Sequence, residues 1–210
     1  MCGANHQISI QKNEESDGGG LYVHIAYCRR KCLYCDFFSA GERIADWPRY
    51  VDALCYEFLH RKDELAWPLR TIYFGGGTPS LIPEDEFSRL CAFLRPYMDN
   101  VVEFTMEVNP DDVDLHRLEL WKRAGVNRLS IGVQTFDDTA LSAIGRRHTG
   151  TTAINAYELA RKEFYNISID LMFGLPGQTL DIWKRDLELT LKMRPEHISA
   201  YSLMYEEGTA

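Results

Sequence analysis

The sequence predicts an α/β fold, an incomplete barrel in which six parallel strands are joined by five helices. Short segments rich in β-forming residues alternate with longer segments of helical periodicity, and strands separated by helices usually pair in parallel. Side chains suited to chemistry follow the ends of the strand candidates, which is where β/α barrels carry their sites. An open α/β sheet is the architectural alternative.

The strand candidates are spaced widely enough for a helix between each pair. They are Leu21–Ala26, Thr71–Phe74, Glu103–Val108, Arg128–Val133, Ile167–Phe173 and His197–Leu203. The intervening segments place apolar residues on one helical face: Trp47, Val51, Leu54, Cys55 and Phe58; Phe87, Leu90, Cys91 and Leu94; Leu118 and Trp121; and Trp183, Leu187 and Leu191. Pro83 suits a helix start and Gly125 a helix end. Because Cys55 and Cys91 fall on apolar faces, we interpret both as core residues.

Length and composition favour one globular domain. The 210 residues are 45% hydrophobic and 26% charged, close to globular averages. We assign residues 21–210 to this domain, and we predict that residues 1–20, which are polar and end in three glycines, form a flexible leader. The net charge of −8 argues against nucleic-acid binding. Without a long apolar run or a signal-peptide core, we predict no transmembrane segment and expect a cytoplasmic location.

Three of the six cysteines lie within eight residues, directly after the first strand candidate, in the spacing Cys28-x3-Cys32-x2-Cys35. Disulfides between them are not expected in a cytoplasmic chain. Thiolates are preferred ligands of iron–sulfur clusters and of zinc. A structural zinc site needs a fourth ligand, for which His24 is the nearby candidate. The pattern favours an iron–sulfur cluster on three thiolates, with zinc and a metal-free loop as alternatives.

Polar or glycine-rich segments also lie near or just after the ends of the next four strand candidates. They are Gly75-Gly76-Gly77-Thr78-Pro79, Glu107, Gln134 and Asp170. Consecutive glycines permit close backbone approach and offer amide donors to a ligand. Because the carboxyl ends of parallel strands meet at one rim of a barrel, we expect these segments to share a site with the cysteine loop.

Together these motifs resemble those of the radical S-adenosylmethionine (SAM) superfamily. The segments that carry the resemblance are the cysteine spacing, Tyr22–Cys28 (YVHIAYC), Gly75–Ser80 (GGGTPS), Ile131–Phe136 (IGVQTF) and Ile169–Gln178 (IDLMFGLPGQ). Within this superfamily, the segments most resemble the family of oxygen-independent coproporphyrinogen III oxidases and HemW-type haem chaperones. The resemblance covers the chain from Leu21 to the C-terminus. The resemblance implies a radical SAM partial barrel and a [4Fe-4S] cluster on Cys28, Cys32 and Cys35, with SAM at the open iron.

The resemblance also implies which residues bind SAM. Tyr22, Gly76 and Glu107 match positions that contact the cluster-bound SAM. A second SAM site of the oxidase branch is matched by Tyr34, Gly77, Thr78, Gln134, Arg146, Asp170 and Met204. Whether two SAM molecules bind is left open. Arg146, Arg147 and His148 form a basic group that could hold carboxylates, and we interpret His148 as a haem ligand.

Two departures from the family pattern bear on function. The oxidase branch has a further cysteine two residues beyond the third cluster ligand, where this chain has Phe37; Cys35-Asp36-Phe37 is the pattern of the haem-chaperone branch. Ala26 stands where the family usually has proline, which should only loosen the strand end. We therefore expect a haem chaperone that delivers haem to respiratory proteins. The alternative is an oxidase that decarboxylates coproporphyrinogen III, and a third candidate is a haem-degrading radical SAM methyltransferase; whether the chain is an enzyme is left open.

The expected partners follow from the resemblance. They are SAM, haem or a porphyrinogen, and an electron donor such as a flavodoxin or ferredoxin. We interpret Arg29, Arg30 and Lys31 in the cysteine loop either as contacts for that donor or as a solvated loop. Family members continue into a C-terminal domain, so we expect this chain to be truncated before it.

Overall fold

The computed structural model describes residues 18–41 and 46–205. The strands are β1 (Gly19–Ile25), β2 (Tyr27–Cys28), β3 (Ala40–Gly41), β4 (Leu69–Gly76), β5 (Glu103–Val108), β6 (Arg128–Gln134), β7 (Ile167–Phe173) and β8 (His197–Ser202). The α-helices are α1 (Trp47–Arg61), α2 (Glu84–Leu94), α3 (Leu115–Ala124), α4 (Asp138–Ala143), α5 (Gly150–Glu163) and α6 (Leu180–Met193). Single-turn 3-10 helices cover Lys62–Glu64, Pro79–Leu81, Arg95–Tyr97 and Pro110–Asp112.

Six strands form one parallel sheet in the order β1-β4-β5-β6-β7-β8, so each strand pairs with the next large strand along the chain. A doubly wound open sheet would reverse its order at a switch point, whereas a barrel adds strands consecutively. The predicted partial barrel is therefore confirmed. The short strands β2 and β3 pair separately and bracket the cysteine loop.

The two faces of the sheet differ in polarity because side chains alternate along a strand. One face packs under the helices and holds the core, with buried residues such as Val23, Phe74 and Met106 in neighbouring strands. The opposite face is polar. One register row across four strands reads Glu107, Ser130, Ser168 and His197, and a second row reads Gly132, Asp170 and Ser199.

The predicted strands are all present. Strands β5 and β7 have the predicted bounds, and the other four differ by one or two residues at one or both ends. Strand β1 begins at Gly19, and β4 extends through Gly76. We call Gly75–Gly77 the glycine turn; its first two residues belong to β4. The flexible leader was predicted over residues 1–20. Residues 18–20 enter or adjoin β1, and residues 1–17 lie outside the described residues.

Helices α1, α2 and α3 bury the predicted apolar faces, α5 fills the connection for which no face was predicted, and α4 and α6 depart from the prediction. Helix α4 was not predicted, because it has only six residues and depends on the Asp137 side chain, which accepts from the amide of Ala140. The prediction that Leu191 packs on the core is wrong: its side chain is 64% exposed, because α6 turns Asp186 and Thr190 toward the sheet. Gly125 ends α3 with a left-handed φ of 103°, as predicted.

No helix in the described ranges has the length and apolar character that crossing a bilayer would require.

Candidate functional site

A cavity of about 330 Å³ opens at the carboxyl ends of the strands. We call it the rim cavity. It is lined by the cysteine loop and by residues at or after the ends of β4 to β8. Every residue predicted to bind SAM lines it except Tyr22; the lining set includes Tyr34, Gly76, Gly77, Thr78, Glu107, Gln134, Arg146, Asp170 and Met204. Its size falls in the range of small-molecule sites.

The thiols of Cys28, Cys32 and Cys35 are free and line the rim cavity. The loop is fixed by a backbone bond from Cys35 N to the carbonyl of Cys32, 3.2 Å, and by another from Leu33 N to the carbonyl of Ile144, 3.2 Å. Cys55 and Cys91 lie elsewhere, on α1 and α2. Cys91 is buried, and burial raises the pKa of its thiol to about 12, which fits the predicted core role.

Two donors approach the sulfurs of the cysteine loop. The Thr78 hydroxyl lies 3.4 Å from Cys28 Sγ, and the Arg146 guanidinium lies 3.7 Å from Cys32 Sγ. Donors of this kind stabilise a thiolate, the form that binds iron. A Cβ on Gly77 would lie 2.7 Å from the Tyr27 carbonyl oxygen and 3.1 Å from Cys28 Sγ, so only glycine allows this close approach to the cysteine loop.

The donor set fits a cluster. In residues 18–41 and 46–205, no three His, Cys, Asp or Glu side chains converge on one point to hold a single metal ion. A four-iron cluster does not require such convergence, because each thiolate binds a different iron. His24, the candidate fourth zinc ligand, has both ring nitrogens hydrogen-bonded within the chain: Nε2 to the Phe38 carbonyl, 2.8 Å, and Nδ1 to the Tyr22 hydroxyl, 3.2 Å.

The glycine turn contributes space rather than free amides. Gly76 has a φ of 108°, which favours glycine, and a Cβ there would lie 2.5 Å from the His24 ring. Its amide donates to Glu107, 3.1 Å, and the Gly77 amide donates to the Ile25 carbonyl, 2.6 Å. The expectation that these two amides are available to a ligand is therefore wrong.

Glu107 lies at the floor of the rim cavity, where its carboxylate accepts from the Tyr73 hydroxyl, 2.8 Å, and from Gly76. Burial raises the pKa of Glu107 to about 7. Tyr22 lies on β1, the strand that pairs with the β4 strand of Tyr73, and the two rings stack with 5.9 Å between centroids. Burial raises the pKa of Tyr22 to about 12. Tyr22 thus lies close to Glu107 without lining the cavity.

Asp170 and Gln134 occupy the far wall of the rim cavity. Ser130 Oγ lies 3.0 Å from the Asp170 carboxylate, and burial raises the pKa of that carboxyl. The Gln134 carbonyl oxygen accepts from the Tyr201 hydroxyl, 2.6 Å, and its backbone has a φ of 70°. Tyr73, Ser130 and Tyr201 were not among the predicted site residues. The sequence could have indicated them, because side chains alternate between the two faces along a strand and this alternation places all three on the polar face.

The three side chains of the basic group, Arg146, Arg147 and His148, have different surroundings. Arg146 lines the rim cavity and donates to the Gly132 carbonyl, 2.5 Å. Arg147 pairs with Asp111 at 3.3 Å. His148 is 4% exposed and donates from Nε2 to the Val133 carbonyl, 3.1 Å, and burial lowers its pKa to about 3. The interpretation of His148 as a haem ligand is wrong, because the ring is neutral, buried and does not line the cavity.

The cysteine loop also exposes apolar and charged side chains. Phe37 and Met204 both line the rim cavity and are 64% and 65% exposed, so both lie where the cavity meets solvent, at its mouth. Arg30 lines the cavity, while Arg29 lies 3.8 Å from the buried carboxylate of Asp112. The mouth thus carries two apolar side chains, and the cation Arg30 lies between Cys28 and Cys32 in the sequence.

A partial parallel β/α barrel with three spaced cysteines and a glycine turn at its rim defines the radical SAM class of proteins. The family model of the radical SAM superfamily matches residues 22–190. The chain belongs to this superfamily, which uses a [4Fe-4S] cluster and SAM as cofactors.

Among curated proteins, the chain is similar to "Heme chaperone HemW" of Bacillus subtilis (strain 168), with 42% identity over 194 residues, 90% of this chain and 51% of that protein. It is 37% identical over 199 residues to the mitochondrial radical S-adenosyl methionine domain-containing protein 1 of Bos taurus, covering 92% of this chain and 45% of that protein. The chain spans about half the length of the curated relatives it matches.

A solved structure, coproporphyrinogen III oxidase (HemN) of Escherichia coli, is also similar. It is 28% identical, superposes with a TM-score of 0.77, and covers 87% of this chain and 43% of its own. HemN is itself a radical SAM enzyme.

Proposed function

We propose that this chain is the cofactor-binding part of a haem chaperone, with the rim cavity as its cluster, SAM and haem site. The curated relatives named as haem chaperones support it, since they match 90% of the chain at 42% and 39% identity. The observation that carries the proposal is Phe37, an exposed aromatic ring at the cavity mouth beside the three thiols. In the oxidase branch the same position is a cysteine.

In this proposal Cys28, Cys32 and Cys35 hold the cluster. The cluster, when bound, supplies one electron to SAM. The Thr78 hydroxyl and the Arg146 guanidinium donate toward two of these sulfurs, Cys28 Sγ and Cys32 Sγ, at 3.4 and 3.7 Å. Both are contacts between side chains of the protein itself, and they support the assignment of the loop as the cluster site.

The remaining rim residues would bind SAM. An ionised Glu107 accepts hydrogen bonds from an amino group, and Gln134 and Asp170 offer further acceptors on the opposite wall. Arg146 offers a planar cation that matches a carboxylate. SAM carries both an amino and a carboxylate group, so the cavity offers a partner for each.

Haem is the proposed cargo because the cavity mouth is apolar. Phe37 is 64% and Met204 65% exposed, and both line the cavity opening. An exposed aromatic ring can stack on a flat apolar macrocycle, whereas it cannot ligate iron or carry a redox change. We further propose a cytoplasmic location and an acidic flavodoxin or ferredoxin as electron donor, which Arg30 and Lys31 would attract.

The alternative function is coproporphyrinogen III decarboxylation. It is favoured by the structural similarity to HemN, which covers 87% of this chain. The two functions differ in product, because a chaperone binds haem without converting it and an oxidase turns propionate groups into vinyl groups.

The test combines two anaerobic measurements on reconstituted protein. We expect a haem titration to saturate and the assay with SAM, reductant and coproporphyrinogen III to yield no protoporphyrinogen. Phe37→Ala should weaken haem binding roughly tenfold, the cost of losing one aromatic contact of about 1.5 kcal/mol. Phe38→Ala is the matched control, since Phe38 lies in the same loop, is 59% exposed and does not line the cavity.

Stoichiometric protoporphyrinogen formation would overturn the chaperone function in favour of the oxidase. Haem affinity that falls equally in Phe37→Ala and Phe38→Ala would overturn the placement of haem at the cavity mouth. A Phe37→Cys variant that gains decarboxylation would show that this position separates the two functions.

A further inference from the structure

The backbone turns sharply at Gln134, where β6 reaches the rim cavity. The residue has a φ of 70°, and the Thr135 amide donates to the Val133 carbonyl at 2.9 Å. This is a γ-turn with positive φ, a rare and strained conformation for a residue other than glycine. The sheet register also shifts here, since Gly132 pairs with Asp170 and Gln134 with Leu171. Such strain persists only where the surroundings hold it.

A buried carboxylate holds the turn from the helix side. Asp186 on α6 is 3% exposed; it accepts from the Thr135 hydroxyl at 2.6 Å and from the Phe136 amide at 3.0 Å. In the described part of the chain no cation pairs with Asp186. These two donors come from the segment that follows the turn, about fifty residues away in sequence, and Gln178 is a further hydrogen-bond partner of the carboxylate.

A second buried side chain holds the turn from the other end. His148 donates from Nε2 to the Val133 carbonyl, 3.1 Å, so this carbonyl accepts two hydrogen bonds. The Thr135 hydroxyl also accepts from the Asp137 amide at 3.1 Å. The residues on both sides of Gln134 are thus fixed by buried polar contacts.

The turn determines where the Gln134 side chain lies. The side chain is 5% exposed and lines the rim cavity, and the Tyr201 hydroxyl fixes its carbonyl oxygen at 2.6 Å. A Cβ on Gly132 would lie 3.1 Å from its Nε2, so the side-chain amide packs directly beside the backbone of Gly132. At this bulge, β6 advances by two residues while β7 advances by one. Without the turn, the pairing of β6 would shift by one residue and the Gln134 amide would move with it.

We propose that Asp186 is a positioning residue of the rim cavity, which holds the strained turn that presents the Gln134 amide to the bound ligand. The role rests on the proposed function, in which Gln134 contacts SAM. Asp186 itself does not line the cavity and acts through Thr135 and Phe136.

The test is a double-mutant cycle on SAM affinity, measured by equilibrium dialysis on reconstituted protein with iron content as a parallel readout. We expect Gln134→Ala and Asp186→Ala each to weaken SAM binding roughly tenfold, the cost of about one hydrogen bond. The double variant should bind no more weakly than Gln134→Ala, because residues that act through one another are not additive. Iron content should not change.

Two further variants separate positioning from general stability. Asp186→Asn keeps an oxygen that can accept from Phe136 and should retain SAM affinity within about threefold. Glu188→Ala, an exposed carboxylate on the same helix, is the matched control and should not alter affinity. If Asp186→Ala does not fold, Thr135→Val removes the same hydroxyl contact and takes its place in the cycle.

The outcomes distinguish this role from the proposed function. Additive losses in the double variant, or unchanged affinity in Asp186→Ala, would overturn the positioning role alone. A wild-type chain that holds its cluster and binds no SAM would overturn the proposed function and the positioning role with it.

Discussion

The Tyr73 hydroxyl donates a 2.8 Å hydrogen bond to the carboxylate of Glu107, which also accepts from the amide of Gly76 at 3.1 Å. The three residues come from two neighbouring strands and meet under the rim cavity. Burial raises the pKa of Glu107 to about 7, with the Tyr73 and Gly76 hydrogen bonds acting in the opposite direction. The carboxylate therefore changes its charge close to neutral pH.

This pKa makes folding stability depend on pH in a defined direction. The folded chain binds the Glu107 proton more tightly than the unfolded chain, whose ordinary value is 4.5. The stabilising contribution is fully present below about pH 4.5 and is lost as pH rises through about 7. Glu107→Gln does not titrate. As pH rises from about 4.5 to about 7, we expect the free energy of unfolding of the variant to increase relative to that of wild type by on the order of 1–3 kcal/mol, measured by urea unfolding. A pH-independent difference would contradict the buried position of this carboxyl.

The left-handed backbone of Gln134 predicts an unusual order of stability. Gln134→Gly and Gln134→Ala both lose the hydrogen bond from Tyr201, but only glycine accepts a φ of 70° without strain. We expect the glycine variant to be more stable than the alanine variant by about 1 kcal/mol in chemical unfolding. In most strand positions the order is the reverse, so equal stabilities or a more stable alanine variant would show that the turn is not strained.

Gly76 is required by the fold as well as by the site. Its φ is 108°, and a Cβ would lie 2.5 Å from the His24 ring. We expect Gly76→Ala to lower the free energy of unfolding by about 1–3 kcal/mol. Gly41→Ala is the matched control, since nothing lies within 4 Å of its added Cβ, and it should change stability by less than about 0.5 kcal/mol. Similar losses in both variants would contradict the close packing of Gly76 on His24.

The architecture could be predicted from the sequence because it depends on local periodicity. Alternating strand and helix segments give a parallel sheet, and consecutive strand order follows from short connections. The rim residues could be predicted for the same reason. Once Glu107, Gln134 and Asp170 are placed at strand ends, the barrel brings them together with the cysteine loop.

The direction of side chains in loops could not be predicted in this way. His148 follows Arg146 by two residues, yet one is buried under Val133 and the other lines the cavity. Asp186 shows the same limit, because its contacts with Thr135 and Phe136 depend on how α6 packs across fifty residues of chain. The amides of the glycine turn were expected to bind a ligand, but Glu107 and the Ile25 carbonyl accept them instead. Such contacts arise from tertiary packing, on which sequence periodicity carries no information.

The most direct test of the proposed site is iron and sulfide analysis after anaerobic reconstitution. We expect about four irons and four sulfides per chain, as for a cubane cluster. Replacing Cys28, Cys32 or Cys35 by Ala should abolish both. Cys91 lies on the buried face of α2, and Cys91→Ala should leave both unchanged. One zinc per chain without sulfide, or a cluster that survives the loss of Cys32, would contradict the assignment of the cysteine loop as the cluster site.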